Sequence, residues 1–283
     1  MKKREFISEN DGVVGIVVTV LLIGLILTVT VMINTVYVPQ WIEEKEANHM
    51  EEVSNQFTRL KYALDIQSIV NDSTAVSTFV TLGSKEIPIF GAGRSFGILE
   101  IIDNSFTMSV ETNGTSDPVY YSTESIVFSS QNSYFVDQSY ACEAGALILD
   151  QEPSNVLYGK PSLIVREYNT NLSFVFVNVS GLAGKKSVSG YGTFPIYTEV
   201  TEYNSDYKRI HNVTDITVNT DYPHAWYIAF NSTLHNHWID YEITEESDRI
   251  VIRLIDADGR YIENNFFIRE VKVSAQIAFG LSE

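Results

Sequence analysis

Val13–Val38 reads VVGIVVTVLLIGLILTVTVMINTVYV, a run of 26 residues without one charged side chain. An α-helix rises 1.5 Å per residue, so the run covers roughly 39 Å, against a hydrocarbon core of about 30 Å. The length predicts a membrane-spanning helix. Lys2, Lys3 and Arg4 precede the run, whereas Glu43, Glu44, Lys45 and Glu46 follow it with net negative charge. The positive-inside bias then puts the first residues in the cytoplasm and everything after Trp41 outside the cell. A cleaved secretory signal is the rival reading, but its apolar run is usually about 7 to 15 residues and closes with a small-residue cleavage site. Here the run is longer and no such site closes it.

Trp41 to about Val70 reads as a second helical stretch. Met50, Val53, Phe57, Leu60 and Leu64 recur at spacings of 3, 4, 3 and 4, with mostly Glu, Asn, Gln, Ser, Thr, Arg and Lys between them. That spacing places the five on one face as an apolar seam. Its partner is either the chain's own outer domain or neighbouring subunits, with the seam then acting in self-association; spacing alone does not choose. Pro39 removes one helical hydrogen bond, so a kink rather than a stop is expected there. Together the two stretches predict a long, bent stalk.

From Ser73 the pattern changes to short β-branched or aromatic runs separated by Gly, Asn, Asp, Ser or Pro. Strands are expected at 74–82, 96–102, 106–110, 125–128, 145–149, 172–179, 192–201, 226–230, 249–255, 261–268 and 271–279. No sustained helical period is apparent after residue 75. The fold class expected is α+β, a long N-terminal transmembrane and stalk helix followed by an all-β antiparallel sandwich of jelly-roll or Greek-key type. The divisions are a cytoplasmic leader at 1–12, a transmembrane helix at 13–38, a juxtamembrane stalk at 39–70 and an extracellular β-sandwich at 71–283. The glycine-rich 181–190 is where that sandwich would subdivide, although strands on either side lack an obvious core of their own.

The 283-residue chain carries a formal net charge of −17, and the leader's basic and acidic residues cancel, so the imbalance lies on the outer part. Such a surface repels nucleic acid, which is excluded as a partner, and anionic headgroups as well. Cys142 is the single cysteine, which rules out an intrachain disulfide. Its apolar neighbours suggest a small buried hydrophobe. Asn71, Asn113, Asn171, Asn178, Asn212 and Asn231 each begin an N-x-[ST] sequon, all beyond the apolar run, in keeping with an outward-facing domain that accepts N-glycans.

Residues that could carry chemistry are sparse. His235 and His237 alternate as on one strand face and could begin a metal site with Asp240 or Glu242. Asp256 and Asp258, followed by Gly259, supply part of a calcium loop, but Asp-Gly between two apolar runs is foremost a hairpin turn. Gly91-Ala-Gly93-Arg94-Ser95 has no G-K-[ST] ending and no helix after it, so a loop is expected. No G-x-S-x-G is present. The sequence therefore points to no cofactor and no catalytic motif.

The N-terminus carries a resemblance. A short basic leader, the polar Ser8-Glu-Asn-Asp-Gly12 and the apolar Val13-Val-Gly-Ile-Val-Val-Thr-Val-Leu-Leu-Ile-Gly24 resemble the class III signal region of archaeal type IV pilins and archaellins. The likeness covers residues 1 to 66 in architecture. It implies that a prepilin peptidase trims the leader, that the apolar helix forms the core of a filament, and that a β-rich head faces outward. The function expected is thus a membrane-anchored surface protein with a structural, filament or adhesive role. A tethered sandwich that binds a glycan or protein is the alternative, and a tethered hydrolase the third.

Overall fold

The computed structural model describes residues 9–70, 73–84, 95–114, 117–166, 171–182, 186–235, 241–254 and 264–277. Helix α1 (Glu9–Met32) passes through a π turn (Ile33–Tyr37) into helix α2 (Val38–Ile69) without a break. Pro39 explains the π turn. Its ring would crowd the carbonyl four residues earlier in a regular helix, and here Val38 N–H instead bonds to Ile33 O, five residues back. The wider turn lets the helix continue through the proline.

The strands that follow are β1 (Val76–Thr81), β2 (Phe96–Thr112), β3 (Val119–Gln131), β4 (Ser139–Glu143), β5 (Ala146–Gln151), β6 (Ser154–Gly159), β7 (Leu163–Arg166) and β8 (Asn171–Gly181). Then come β9 (Ser187–Gly190), β10 (Thr193–Tyr203), β11 (Lys208–His211), β12 (Val213–Thr220), helix α3 (Pro223–Leu234), β13 (Tyr241–Glu245), β14 (Arg249–Leu254) and β15 (Asn265–Ile277). One sheet has the order β1-β10-β15-β8-β7, with β11 on β15; the other runs β13-β14-β12-β2-β3-β4-β5-β6, with β9 on β2. The architecture is the expected helix followed by a sandwich-like pair of sheets.

Two expectations about the head are corrected. Residues 226–230, Trp-Tyr-Ile-Ala-Phe, form helix and not strand: the buried positions Trp226, Ala229, Phe230 and Leu234 of α3 follow a three-and-four spacing that the aromatic composition hid. Pro223 opens the helix, and Asn155 Oδ1 accepts the Ala225 N–H at 2.7 Å, satisfying one of the first-turn donors. The sheets are also not wholly antiparallel, because β8 and β15 pair in parallel from Asn171↔Asn265 to Gly181↔Ala275. A parallel pair needs a long crossover, and β9 to β14 with α3 supply it.

Alternation along the strands divides the interior into two clusters. Phe174 and Phe176 of β8 join Phe106, Trp226 and Phe266 in one, while Val175, Val177 and Val179 join Phe57, Phe128 and Val273 in the other. β8 is therefore buried on both faces, which is why 172–179 reads as a nearly continuous apolar run. The two sheets are joined where Val179 N–H donates to Thr123 Oγ1 at 2.7 Å and Gly181 N–H donates to the Glu124 carboxylate at 2.5 Å.

The second cluster is also where the stalk seam ends up. Met50, Val53, Phe57, Leu60 and Leu64 are all at most 2% exposed and pack with β1, β3, β8, β10 and β15. The seam is thus buried by the chain's own head, so its expected alternative use in self-association is corrected: no face of it is left for a neighbouring subunit. Phe57→Ala is expected to lower stability by about 3–5 kcal/mol, the range for emptying a buried phenylalanine site; denaturant titration of the full chain in detergent checks it.

Candidate functional site: the apolar helix and its junction with the head

Among the described residues one helix is long and apolar enough to cross a membrane, and no side chain of its apolar window is buried. Leu21 is 68% exposed and Ile16 67%. The 24 residues of α1 extend roughly 36 Å, enough for a hydrocarbon core of about 30 Å. From Val14 to Val36 the polar side chains are satisfied within the helix. Thr19, Thr28, Thr30 and Thr35 hydroxyls and the Asn34 amide each donate to the carbonyl four residues earlier at 2.8 Å. A span needs that satisfaction, because hydrocarbon offers no partner.

Exposure ends where the head begins. Tyr37 and Trp41 are about two-fifths exposed with ring centroids 6.1 Å apart, while Val38 and Ile42 are buried. Amphipathic aromatic rings at the end of an apolar run suit the interface between hydrocarbon and water.

Below this boundary α2 is fixed by polar contacts as well as by its seam. Glu46 is fully buried, and its carboxylate accepts the backbone N–H groups of Ser133 at 2.8 Å, Tyr134 at 2.9 Å and Phe135 at 2.8 Å. His49 Nε2 donates to Thr81 O at 2.9 Å. Burial holds the His49 pKa below its ordinary value, opposed by the carbonyl bond and by Glu52 and Glu46, so the ring is held toward its neutral form. Gln56 bridges to Thr81 through both ends of its amide, and Gln67 Nε2 donates to Thr198 O at 2.9 Å. At the helix C-terminus Arg269 donates to Ser68 O at 2.8 Å and Tyr203 to Ile69 O at 3.0 Å. These donors meet carbonyls that the helix leaves without internal partners, and the guanidinium complements the helix dipole.

A second buried carboxylate had no warning in any motif. Glu143, at the end of β4, is fully buried: Thr220 Oγ1 and Trp226 Nε1 both donate to Oε1 at 2.7 Å, and Ser125 Oγ donates to Oε2 at 2.9 Å. Burial pushes its pKa up to about 7, although these three donors pull the other way. The available signal was a lone acidic residue inside Ala141-Cys142-Glu143-Ala144. Cys142 itself is buried, and burial pushes its thiol up to about 12, so it is a packing residue and not a reactive one.

The remaining candidate residues are dispersed. His235 is exposed at the C-cap of α3; His237, Asp256 and Asp258 lie outside the described residues. Among the described residues no three His, Cys, Asp or Glu side chains gather as a metal site. Of the sequons, Asn113 and Asn212 are exposed and meet at one turn, where Asn113 N–H donates to Asn212 O at 2.8 Å. Asn171, Asn178 and Asn231 are half-buried, and their amides are engaged by Asn265, Glu270 and Tyr241. Asn71 lies outside the described residues.

Comparison with protein families, with curated proteins and with solved structures finds no match for this chain.

Two outcomes follow from the buried carboxylates. Glu46→Ala leaves three backbone donors without their acceptor, and about 2 kcal/mol of stability or more is expected to be lost. Amide exchange at Ser133, Tyr134 and Phe135 will accelerate in that variant. For Glu143 the folded pKa lies above the ordinary 4.5, so the folded form binds more protons and stability falls as pH rises from about 4.5 to about 7. A shift of that size corresponds to on the order of 3 kcal/mol. His49 acts in the opposite sense below its ordinary 6.5, so the wild type should be compared with Glu143→Gln at each pH. The variant will gain relative stability across that window and not beyond it, as read by denaturation midpoints.

Proposed function

We propose that this chain is a pilin-like surface protein. The apolar helix anchors it in the membrane, the β head stands outside the cell, and the role is structural, in a filament or in adhesion. The observation that carries the reading is that a wholly exposed apolar helix continues, without a loop, into the core of the head. A flexible tether would let a binding domain roam; a continuous helix fixes the head's position relative to the span, as a building block requires. The basic leader before the helix supports processing by a prepilin peptidase. Because the seam of α2 is already covered, subunit contacts would come from α1, exchanging lipid for neighbouring α1 helices, and from the head's outer surface.

Mass spectrometry of the native N-terminus tests this. A mature chain that has lost the leader up to Gly12 is expected, together with surface filaments containing the chain by electron microscopy. A chain that retains Met1 to Gly12 at the surface overturns the pilin-like reading and leaves a simple anchored protein. The anchoring itself has a separate check: Leu22→Arg puts a charge at the middle of the span at a cost of roughly 3 kcal/mol, and the fraction resisting alkaline extraction from membranes will fall.

A further inference from the structure

The loop of residues 132–138, between β3 and β4, is built to hold a particular position. Asn132 N–H donates to the Asp137 carboxylate at 2.6 Å, Asn132 Nδ2 to Val136 O at 3.0 Å, and Ser130 N–H to Gln138 O at 3.0 Å. Phe135 packs on the second core cluster, and the loop backbone is clamped to α2 by the Glu46 carboxylate. Tyr134 and Val136 nevertheless point away from the protein, 52% and 49% exposed.

Height along the helix decides what these side chains meet. Glu46 lies five residues beyond Trp41, about 7.5 Å along the axis, and helical side chains lean toward the N-terminus. The clamped loop therefore stands within about a side chain's length of the Trp41 level. Tyr37 in the π turn and Trp41 on α2 mark the aromatic boundary at that level.

We propose that residues 132–138 form a second membrane contact, with Tyr134 and Val136 seated in the headgroup layer beside Tyr37 and Trp41; this rests on the reading of α1 as a span. The occupant is a zwitterionic lipid surface. An aromatic ring with a hydroxyl suits the headgroup level, and the strongly acidic chain disfavours anionic lipid. Two points of contact, the helix and a loop rigidly joined to it, would fix the rotation of the head about the helix axis as well as its height.

The test uses the full chain reconstituted into phosphatidylcholine vesicles, with a nitroxide label on Tyr134→Cys and, separately, on Val136→Cys, Val36→Cys and Tyr158→Cys. Cys142 is buried and takes no label. Tyr158 matches Tyr134 in exposure, at 54%, and its strand lies beside Lys61, far along α2 from the boundary. Collision with oxygen reports lipid and collision with a nickel chelate reports water. The labels at 134 and 136 are expected to show several-fold less nickel access than the label at 158, and an oxygen-to-nickel ratio between those at 158 and 36. Equal water access at 134, 136 and 158, with 36 still in lipid, overturns the loop contact and leaves the span standing. Shielding of 134 and 136 from both reagents means a second protein chain covers the loop, which also overturns it. Water access at 36 defeats the span reading from which the contact follows.

Discussion

Helix α2 buries its apolar face in the head that it carries, and α1, the same helix continued past a π turn, has nothing among the described residues to bury against. The asymmetry sets the rest of the architecture. Met50, Val53, Phe57, Leu60 and Leu64 draw strands from both sheets around one side of the helix, and each side chain contributes roughly 1.5–3 kcal/mol by leaving water. The 14–31 stretch would carry the opposite sign in water, with Leu, Ile and Val side chains about half exposed or more. A lipid phase or a layer of like helices resolves that, and both demand a backbone whose polar groups are satisfied internally. The back-bonded threonines meet the same demand for side chains.

Buried carboxylates fix the parts that apolar packing leaves free to slide. Glu46 ties a loop to the helix through three backbone donors, while Glu143 ties β3, β12 and α3 together through two hydroxyls and an indole. An unpartnered carboxylate in either place would be strongly unfavourable. Their partners differ: Glu46 accepts from three backbone amides of one loop, whereas Glu143 accepts from side chains, Trp226 among them, within the aromatic first cluster. Burial raises the Glu143 pKa toward neutrality.

Legibility in the sequence followed the range of the interactions. The long apolar helix was readable because it depends on composition alone. The seam was readable because helical spacing is local. Strands 96–102 and 106–110 were readable as separate runs, although they belong to the single strand β2, whose pairing with β3 shifts register between Ile102 and Phe106. Residues 226–230 misled because aromatic and β-branched residues favour strands on average, whereas the helix depends on which of them face Phe106 and Phe174. No local signal announced that β8 and β15 run parallel, since the two are brought together across a long crossover. Glu46 looked like one more acidic residue on a polar helix face until the loop of residues 132–138 closed on it.

By itself the sequence determined that an uncharged run long enough to cross a membrane precedes an amphipathic stalk and a β-rich, disulfide-free head, because length, charge and periodicity are properties of neighbouring residues. Tertiary structure alone decided which surface the stalk seam meets, since the same spacing fits a neighbour's helix or the chain's own sheets. Filling the concavity between two sheets with Phe57 and Leu60 settled it in favour of the chain's own head. Among the described residues, only α1 is left with an apolar surface the length of a bilayer.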